Sequence, residues 1–168
     1  MLAMIAHPAA QARAQAELDA VVWRARAPTA VDLVRPPYVR ATVREALHWR
    51  PVTPAVLGHR ARADGWYEGM FLPAGTILAP SIWAMNREPY SADADAFEPA
   101  RHVDARGELD TRDEGHVTYG FRRRICVGRG VANASLAMHA AVALWACVRG
   151  RAKDERGRDV PVDVDGYT

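Results

Sequence analysis

The segment 119–128, YGFRRRICVG, constrains this chain most, because it places one cysteine in an arginine-dense loop directly before a long helical pattern. Apolar residues repeat at helical spacing from Val131 to Val148, which predicts a long and largely buried helix. A thiol near a helix N-terminus and near guanidinium groups is stabilised as the thiolate by the helix dipole and by the cations. We therefore predict that Cys126 is an anionic ligand, although an arbitrary cysteine is more often a buried structural residue.

Further helices are predicted upstream of this segment. Pro8 suits the first turn of a helix that continues to about Val22. A second helix has an apolar face that begins near Val39, and Pro51 ends it. A short helical stretch is predicted over 81–87.

A small sheet and a long loop complete the predicted elements. Between 56 and 79, turn signals at Asp64-Gly65 and at 73–75 separate short apolar runs, which predicts antiparallel strands. Residues 88–120 have little periodicity and predict a meandering loop with a functional role. Alternating valines at 160–164 predict a strand after an exposed turn.

Composition limits the function classes. A chain of 168 residues can form one compact core, and its net charge of +2 does not favour nucleic acid as a partner. Two cysteines are too few for a disulfide framework, so we expect a reducing compartment. Cys147 lies in an apolar run and is predicted to pack in the core, not to act as a second ligand. The apolar start at Met1 is too short for a membrane segment, and it opens almost directly into a helical pattern, which indicates a missing N-terminal part.

The loop around Cys126 resembles the cytochrome P450 signature Phe-x-x-Gly-x-Arg-x-Cys-x-Gly. Arg124, Cys126 and Gly128 match this signature. Tyr119 replaces the phenylalanine, and Arg122 stands where the family has glycine. The resemblance implies that Cys126 binds the haem iron as a thiolate, and that Arg124 and Gly128 belong to the haem-binding loop. An arginine at the glycine position needs both an allowed backbone conformation and room for its side chain.

A second part of the resemblance is the helix that carries the family's Glu-x-x-Arg pair. Glu45 is present, and His48 stands at the position of the arginine. The third member of this structural triad is Arg101, in the segment 97–102, FEPARH, which is similar to the family's Pro-Glu-Arg-Phe segment. Histidine lacks the planar fork that binds a carboxylate bidentately, so we expect a weakened network. Without the cysteine loop, a Glu-x-x-basic pair would indicate only a helix-surface salt bridge.

The family also places a strand beside the haem, and residues 54–60 follow the family order there. The resemblance implies that a basic residue of this strand binds a haem propionate, and His59 and Arg60 are both candidates. Histidine can donate a hydrogen bond, whereas a guanidinium binds a carboxylate bidentately. The alternative for both residues is an exposed position at a strand edge.

The resemblance covers residues 1–168 and is closest to the microsomal type found in eukaryotes, fungi included. It implies a mainly α fold with a small antiparallel β region, as one partial domain over 1–168 that is the haem-ligating C-terminal portion, with the N-terminal portion absent. The implied reaction inserts one atom of O2 into a small lipophilic substrate, with electrons from NADPH through NADPH-cytochrome P450 reductase. The family's proton-delivering residues lie on a distal helix that this chain lacks, so no catalytic residue is assigned. Full-length relatives are often anchored in the endoplasmic-reticulum membrane.

Two other functions compete with this prediction. A catalytically incompetent fragment or haem-binding remnant is favoured by the missing distal helix and by the departures at His48 and Arg122. An anion or nucleic-acid patch at 122–124 and Arg129 is disfavoured by sparse aromatic residues and low net charge.

Overall fold

Helices dominate the structure. The computed structural model describes residues 1–55, 57–110 and 114–164. Within them the α-helices, in chain order, are α1 (Leu2–Ala6), α2 (Pro8–Val22), α3 (Pro37–Trp49), α4 (Ile82–Arg87) and α5 (Arg129–Ala146). The strands are β1 (His59–Arg60), β2 (Gly65–Tyr67), β3 (Met70–Leu72) and β4 (Ile77–Leu78). This arrangement confirms the predicted fold class, mainly α with a small antiparallel β region.

Prolines begin the two helices at the centre of the fold. Pro8 and Pro37 each stand in the first turn, where a missing backbone N–H costs nothing and the ring presets the helical φ. The N-terminus of α3 has a cap from another helix, since the Glu17 carboxylate of α2 accepts hydrogen bonds from the amides of Tyr38 and Val39, at 3.1 and 2.9 Å. This contact satisfies two donors that the helix itself leaves unpaired, and it fixes α3 against α2.

The main core lies where α3 meets α2, α5 and a 3-10 segment at Pro99–His102. Its buried apolar residues are Ala3, Met4, Ala14, Leu18, Val22, Leu33, Tyr38, Val39, Trp49, Phe97, Ala141 and Leu144. Trp49, at the end of α3, packs edge-on against Phe97, with ring centroids 5.6 Å apart. The end of α3 and the loop after α4 are therefore held together by aromatic packing.

The prediction that the last helix is largely buried is wrong. In α5 the buried residues are Ala141 and Leu144, whereas Val131 and Leu136 are 75 % and 40 % exposed. The physical reason is that the described elements cover one face of α5 near its C-terminal end and leave the opposite face open. An apolar helix pattern reports the potential for burial, not the presence of a partner on every side.

The prediction that Cys147 packs in the core is also wrong. α5 ends at Ala146, and Cys147 is extended, with φ −141° and ψ 144°, so it no longer follows the buried face of the helix. Its side chain is exposed, while its carbonyl accepts a hydrogen bond from Gln15 at 3.0 Å.

The strands form two small antiparallel sheets, each of two strands. β1 pairs with β4, and β2 pairs with β3. The predicted turn at 73–75 is confirmed between β3 and β4, but the Asp64-Gly65 turn is wrong, because Gly65 pairs with Leu72 in the ladder. The tight turn lies instead at Glu68 and Gly69, whose φ values of 48° and 81° are those of the two-residue hairpin turn that suits strand twist. Val56, where the predicted strand region begins, lies outside the described residues.

The predicted short helix is confirmed as α4, which Ser81 caps through its side chain. The stretch 88–120 is largely irregular, as predicted, apart from the 3-10 segments Glu88–Asp93 and Pro99–His102, and its residues 111–113 are outside the described part. The predicted strand at 160–164 is wrong. Among the described residues of this tail, the pairing is an isolated antiparallel bridge between Lys153 and Asp159.

Candidate functional site

The loop that carries Cys126 is closed by its own backbone. The Cys126 amide donates a hydrogen bond of 2.8 Å to the carbonyl of Tyr119, so the intervening residues, including a 3-10 turn at Arg122–Arg124, form one compact loop. The Cys126 side chain is exposed. Gly128 is the N-cap of α5, and a Cβ built there would lie 3.8 Å from the Cys126 sulfur. The thiol is thus exposed, directly before the long helix that the sequence predicted.

Arg122 has a strained backbone conformation and an exposed side chain. Its φ is 53°, in the left-handed region that glycine occupies readily and that costs other residues about 1–2 kcal/mol. Its side chain is exposed, so space is not the difficulty. The conformation that a glycine would adopt is therefore retained at position 122, although the glycine itself is not.

The surface around Cys126 is apolar as well as basic. Val127 and Val131 are among the most exposed aliphatic residues described, at 104 % and 75 %; Val127 directly follows Cys126 and Val131 is in the first turn of α5. Arg124 is exposed in the same loop. An exposed thiol in a loop that also carries exposed apolar residues and an exposed arginine fits a planar, apolar macrocycle that carries carboxylates, such as haem. Gly128 lies beside the Cys126 sulfur and Arg124 lies two residues away in the same loop, so their predicted haem-binding roles stay predictions.

The second group of site residues surrounds a completely buried carboxylate. Glu45 of α3 has no exposed side-chain surface. Its Oε2 lies 2.8 Å from His102 Nε2 and 3.5 Å from His48 Nδ1, and its Oε1 lies 3.3 Å from Arg101 Nε. The backbone amide of Glu98 donates a hydrogen bond of 2.8 Å to Oε1. The predicted trio of Glu45, His48 and Arg101 is therefore assembled around one carboxylate.

These partners decide the charge of Glu45. Burial disfavours the carboxylate and would raise its pKa. The hydrogen bond with His102, the contact with His48, the Glu98 amide and Arg101 outweigh burial, and they lower the pKa of Glu45 from 4.5 to about 2. Glu45 is thus an ionised buried carboxylate, which is stable only because its partners are in place.

His48 replaces a guanidinium only in part. Its Nε2 lies 2.8 Å from the carbonyl oxygen of Asn86, while its Nδ1 faces Glu45 without forming a hydrogen bond. The edge of the ring packs against Tyr90, with centroids 4.8 Å apart. Only a doubly protonated imidazole could donate to both the Glu45 carboxylate and the Asn86 carbonyl. A guanidinium, which is always charged in proteins, has enough donors for both.

His102 is the member of this site that sequence reasoning missed. It is 3 % exposed, and it makes the shortest side-chain contact to Glu45. The signal was present, because His102 directly follows Arg101 at the place where the family segment ends in phenylalanine. A residue that can form hydrogen bonds, at a position where an apolar ring is expected, indicates that a buried acceptor lies nearby.

The two candidates for propionate binding lie apart from both groups. His59 and Arg60 form β1 and are exposed. Arg60 points towards Gly75, where its nearest guanidinium atom would be 3.5 Å from an added Cβ, and in the part of the chain that the structure describes no hydrogen bond or ion pair links either residue to the Cys126 loop. Their exposed positions in a two-stranded sheet agree with the alternative of strand-edge residues, and the propionate role stays a prediction.

An apolar cavity of about 490 Å³ lies elsewhere, between α1, α3 and α5. Its wall includes Leu2 of α1, Leu47 of α3 and Ala140 of α5, and Cys126 does not line it. The exposed thiol and this cavity are thus separate features of the described chain.

The class of protein follows from the cysteine loop, the buried carboxylate network and the helical core taken together. The family described as Cytochrome P450 matches residues 1–144, and the chain belongs to the cytochrome P450 family. It is 55 % and 52 % identical to two cytochrome P450 monooxygenases of Armillaria gallica, over 98 % and 99 % of this chain and 33 % and 34 % of theirs. It is 50 % identical to cytochrome P450 monooxygenase 58 of Postia placenta, over 87 % of this chain and 29 % of that protein.

The chain thus spans about a third of the length of the curated relatives it matches. These relatives are fungal and are named as monooxygenases, which agrees with the eukaryotic resemblance and supports an oxidoreductase family. In the described residues, none of the helices has the length and hydropathy needed to cross a bilayer.

Proposed function

We propose that residues 1–168 form the haem-ligating C-terminal portion of a haem-thiolate monooxygenase, and that Cys126 is the axial ligand of the haem iron. The observation that carries this proposal is the exposed Cys126 side chain just before α5, at the cysteine position of a loop that resembles the family signature. Haem iron binds cysteine as the thiolate, and a cysteine open at its side chain can reach such a partner.

The other residues of the loop would seat the cofactor. Gly128 keeps the surface beside the sulfur free of a side chain, and Val127 and Val131 offer apolar surface to the macrocycle. Arg124 would bind a haem propionate through its guanidinium, and we propose the same role for His59 or Arg60 on β1. When bound, haem held by a thiolate supplies the activation of O2, because electron donation from sulfur favours cleavage of the O–O bond.

The complete protein would insert one oxygen atom into a lipophilic organic substrate and take its electrons from NADPH through NADPH-cytochrome P450 reductase. This part of the proposal rests on the similarity to fungal cytochrome P450 monooxygenases and on the family, since the chain covers a third of those proteins. The role of this portion in that reaction is to hold the iron ligand and to fix its loop against α3.

A second candidate function is a haem-binding remnant without monooxygenase activity. The observation that favours it is the left-handed Arg122 in the ligand loop, together with a thiol that the described residues leave open to solvent. A cofactor covered on one face only keeps apolar surface in water, which at about 25 cal/mol per Å² weakens binding considerably. Under this alternative the 168-residue chain binds haem weakly and gives no product with NADPH, reductase and a panel of lipophilic substrates.

The test of ligation uses Cys126→Ala with Cys147→Ala as the matched control, since both thiols are exposed. Each substitution is made in a chimera that joins residues 1–168 to the remaining two thirds of an Armillaria gallica relative, and the reduced, carbon monoxide-bound absorption spectrum is recorded. We expect the thiolate-type band to disappear in Cys126→Ala and to persist in Cys147→Ala. A band that survives the Cys126 substitution would refute the assignment.

A further inference from the structure

We infer that Asn86 is a positioning residue for the Cys126 loop. Asn86 is the last residue but one of α4, it is 1 % exposed, and it does not touch Cys126. The inference rests on the proposed ligand role of Cys126 and adds a residue that no part of the family signature contains.

Asn86 joins α3 to the segment that leads into the loop. Its Oδ1 accepts a hydrogen bond of 2.8 Å from the Val117 amide, and its Nδ2 lies 3.2 Å from both the His48 carbonyl and the Thr118 hydroxyl. Its own carbonyl meets His48 Nε2 at 2.8 Å. The backbone and side chain of Asn86 are thus both held at the C-terminal end of α3.

Residues 117–119 carry this position on to the cysteine. The Thr118 hydroxyl donates a hydrogen bond of 2.7 Å to the Leu47 carbonyl, and the Tyr119 hydroxyl donates one of 2.8 Å to Asn133 of α5. The carbonyl of Tyr119 then accepts the Cys126 amide at 2.8 Å. A displacement of 117–119 would therefore move the acceptor that fixes the backbone of Cys126.

The chemistry explains why an asparagine is suited to this place. The last carbonyls of a helix have no intrahelical donor, so buried ends need side-chain partners. Asn86 and Thr118 supply donors to the carbonyls of Leu47 and His48, and Asn86 also accepts from the next segment. Alanine at position 86 would leave buried polar groups unpaired and would release the loop from α3.

The test is residue-resolved hydrogen exchange on the full 168-residue chain without haem, in Asn86→Ala and Thr118→Val. The matched control is Gln11→Ala, because Gln11 is also a buried amide, 3 % exposed, that joins distant segments through the backbone of Arg149. We expect the Cys126 amide to exchange about tenfold faster in the first two variants, relative to the α2 amides of Leu18 and Val22, which are distant from Gln11 along the helix, as the loss of one or two buried hydrogen bonds predicts. In Gln11→Ala this ratio should not change.

Equal acceleration of Cys126 and the α2 amides in both loop variants would overturn the inference, since the effect would then be global unfolding. If Asn86→Ala does not fold, Thr118→Val decides, because valine keeps the shape of threonine and removes only the hydroxyl bonds. The readout contains no haem, so it is independent of ligation. The two tests can therefore give different answers. If the loop variants show accelerated exchange at Cys126 but the Cys126→Ala chimera keeps its thiolate-type band, the ligand assignment is refuted and the positioning role of Asn86 stands.

Discussion

Replacing Glu45 with glutamine should remove most of the acid-dependent stability that this buried carboxylate provides. Glutamine keeps the size of the side chain and can still accept from the Glu98 amide, but it has no charge for His102 and Arg101. The pKa of Glu45 falls from 4.5 to about 2 in the fold. Because the folded pKa is depressed, the contribution is complete above about pH 4.5 and is lost as the pH falls through about 2.

The magnitude follows from that shift. A shift of one pKa unit corresponds to about 1.4 kcal/mol, so the lowering of the Glu45 pKa from 4.5 to about 2 stabilises the fold by about 3 kcal/mol at pH 7. At pH 3 the unfolded chain is largely protonated at this residue, and about half of that stabilisation remains. Full burial of the side chain means that solvent screening does not reduce this figure appreciably. Such a loss is a large share of the 5–15 kcal/mol or so that stabilises an ordinary domain.

Urea unfolding of the wild-type chain and of Glu45→Gln, at a series of pH values from 7 to 3, measures the effect. Glu155→Gln is the control, because Glu155 is an exposed acid in the tail, and it should change stability by less than about 0.5 kcal/mol. We expect the difference between wild type and Glu45→Gln to shrink by about half between pH 7 and pH 3. A difference that stays constant over this range would show that the substitution acts through packing, and that the charge of Glu45 is not stabilised as described.

Three further substitutions test the remaining contacts by the free energy of unfolding. Arg122→Gly should raise the free energy of unfolding by about 1 kcal/mol, since glycine relieves the left-handed φ of 53°. The control Arg123→Gly, at a position without positive φ, should lower the free energy of unfolding. Equal effects of the two substitutions would exclude backbone strain at Arg122. His48→Arg should raise the free energy of unfolding by about 1–3 kcal/mol, because a guanidinium can donate to both acceptors that face this ring, and a lower denaturation midpoint would mean that the packing accepts only histidine. His102→Phe should lower it by about 1–3 kcal/mol by leaving an oxygen of Glu45 unpaired, and no change would show that Arg101 and the Glu98 amide suffice.

Local pattern was enough to find the long helix α5 and to single out Cys126 in the arginine-rich loop before it. The haem roles of Cys126 and Gly128 came from the family signature and stay predictions. Glu45 and His48 are three residues apart on one helix and therefore share a face. Arg101 was found because its segment resembles a family motif, although it reaches Glu45 from a distant part of the chain.

What could not be predicted depends on the packing of segments far apart in sequence. The exposure of Cys147 depends on where α5 ends, and the open face of α5 depends on which elements pack against it. The hairpin turn moved from Asp64-Gly65 to Glu68-Gly69 because both pairs are turn formers, and the cross-strand register decides between them. His102 was missed because its contact with Glu45 joins residues that are 57 positions apart, although its polar side chain at an apolar position of the family segment was a signal.

The structure assigns different tasks to the two polar networks at α3. Glu45 of α3 binds the segment that contains Glu98 and His102, and Asn86 of α4 joins the end of α3 to the segment that leads to Cys126, so both connections meet at α3. His48 takes part in each network, through Glu45 at 3.5 Å and the Asn86 carbonyl at 2.8 Å. A substitution at position 48 should therefore change the exchange rate at Cys126 as well as the global stability, whereas one at His102 should change stability alone. The stability effects of residues in contact are not additive. The double variant at His48 and Asn86 should therefore show an interaction energy, whereas the double variant at His102 and Asn86 should not.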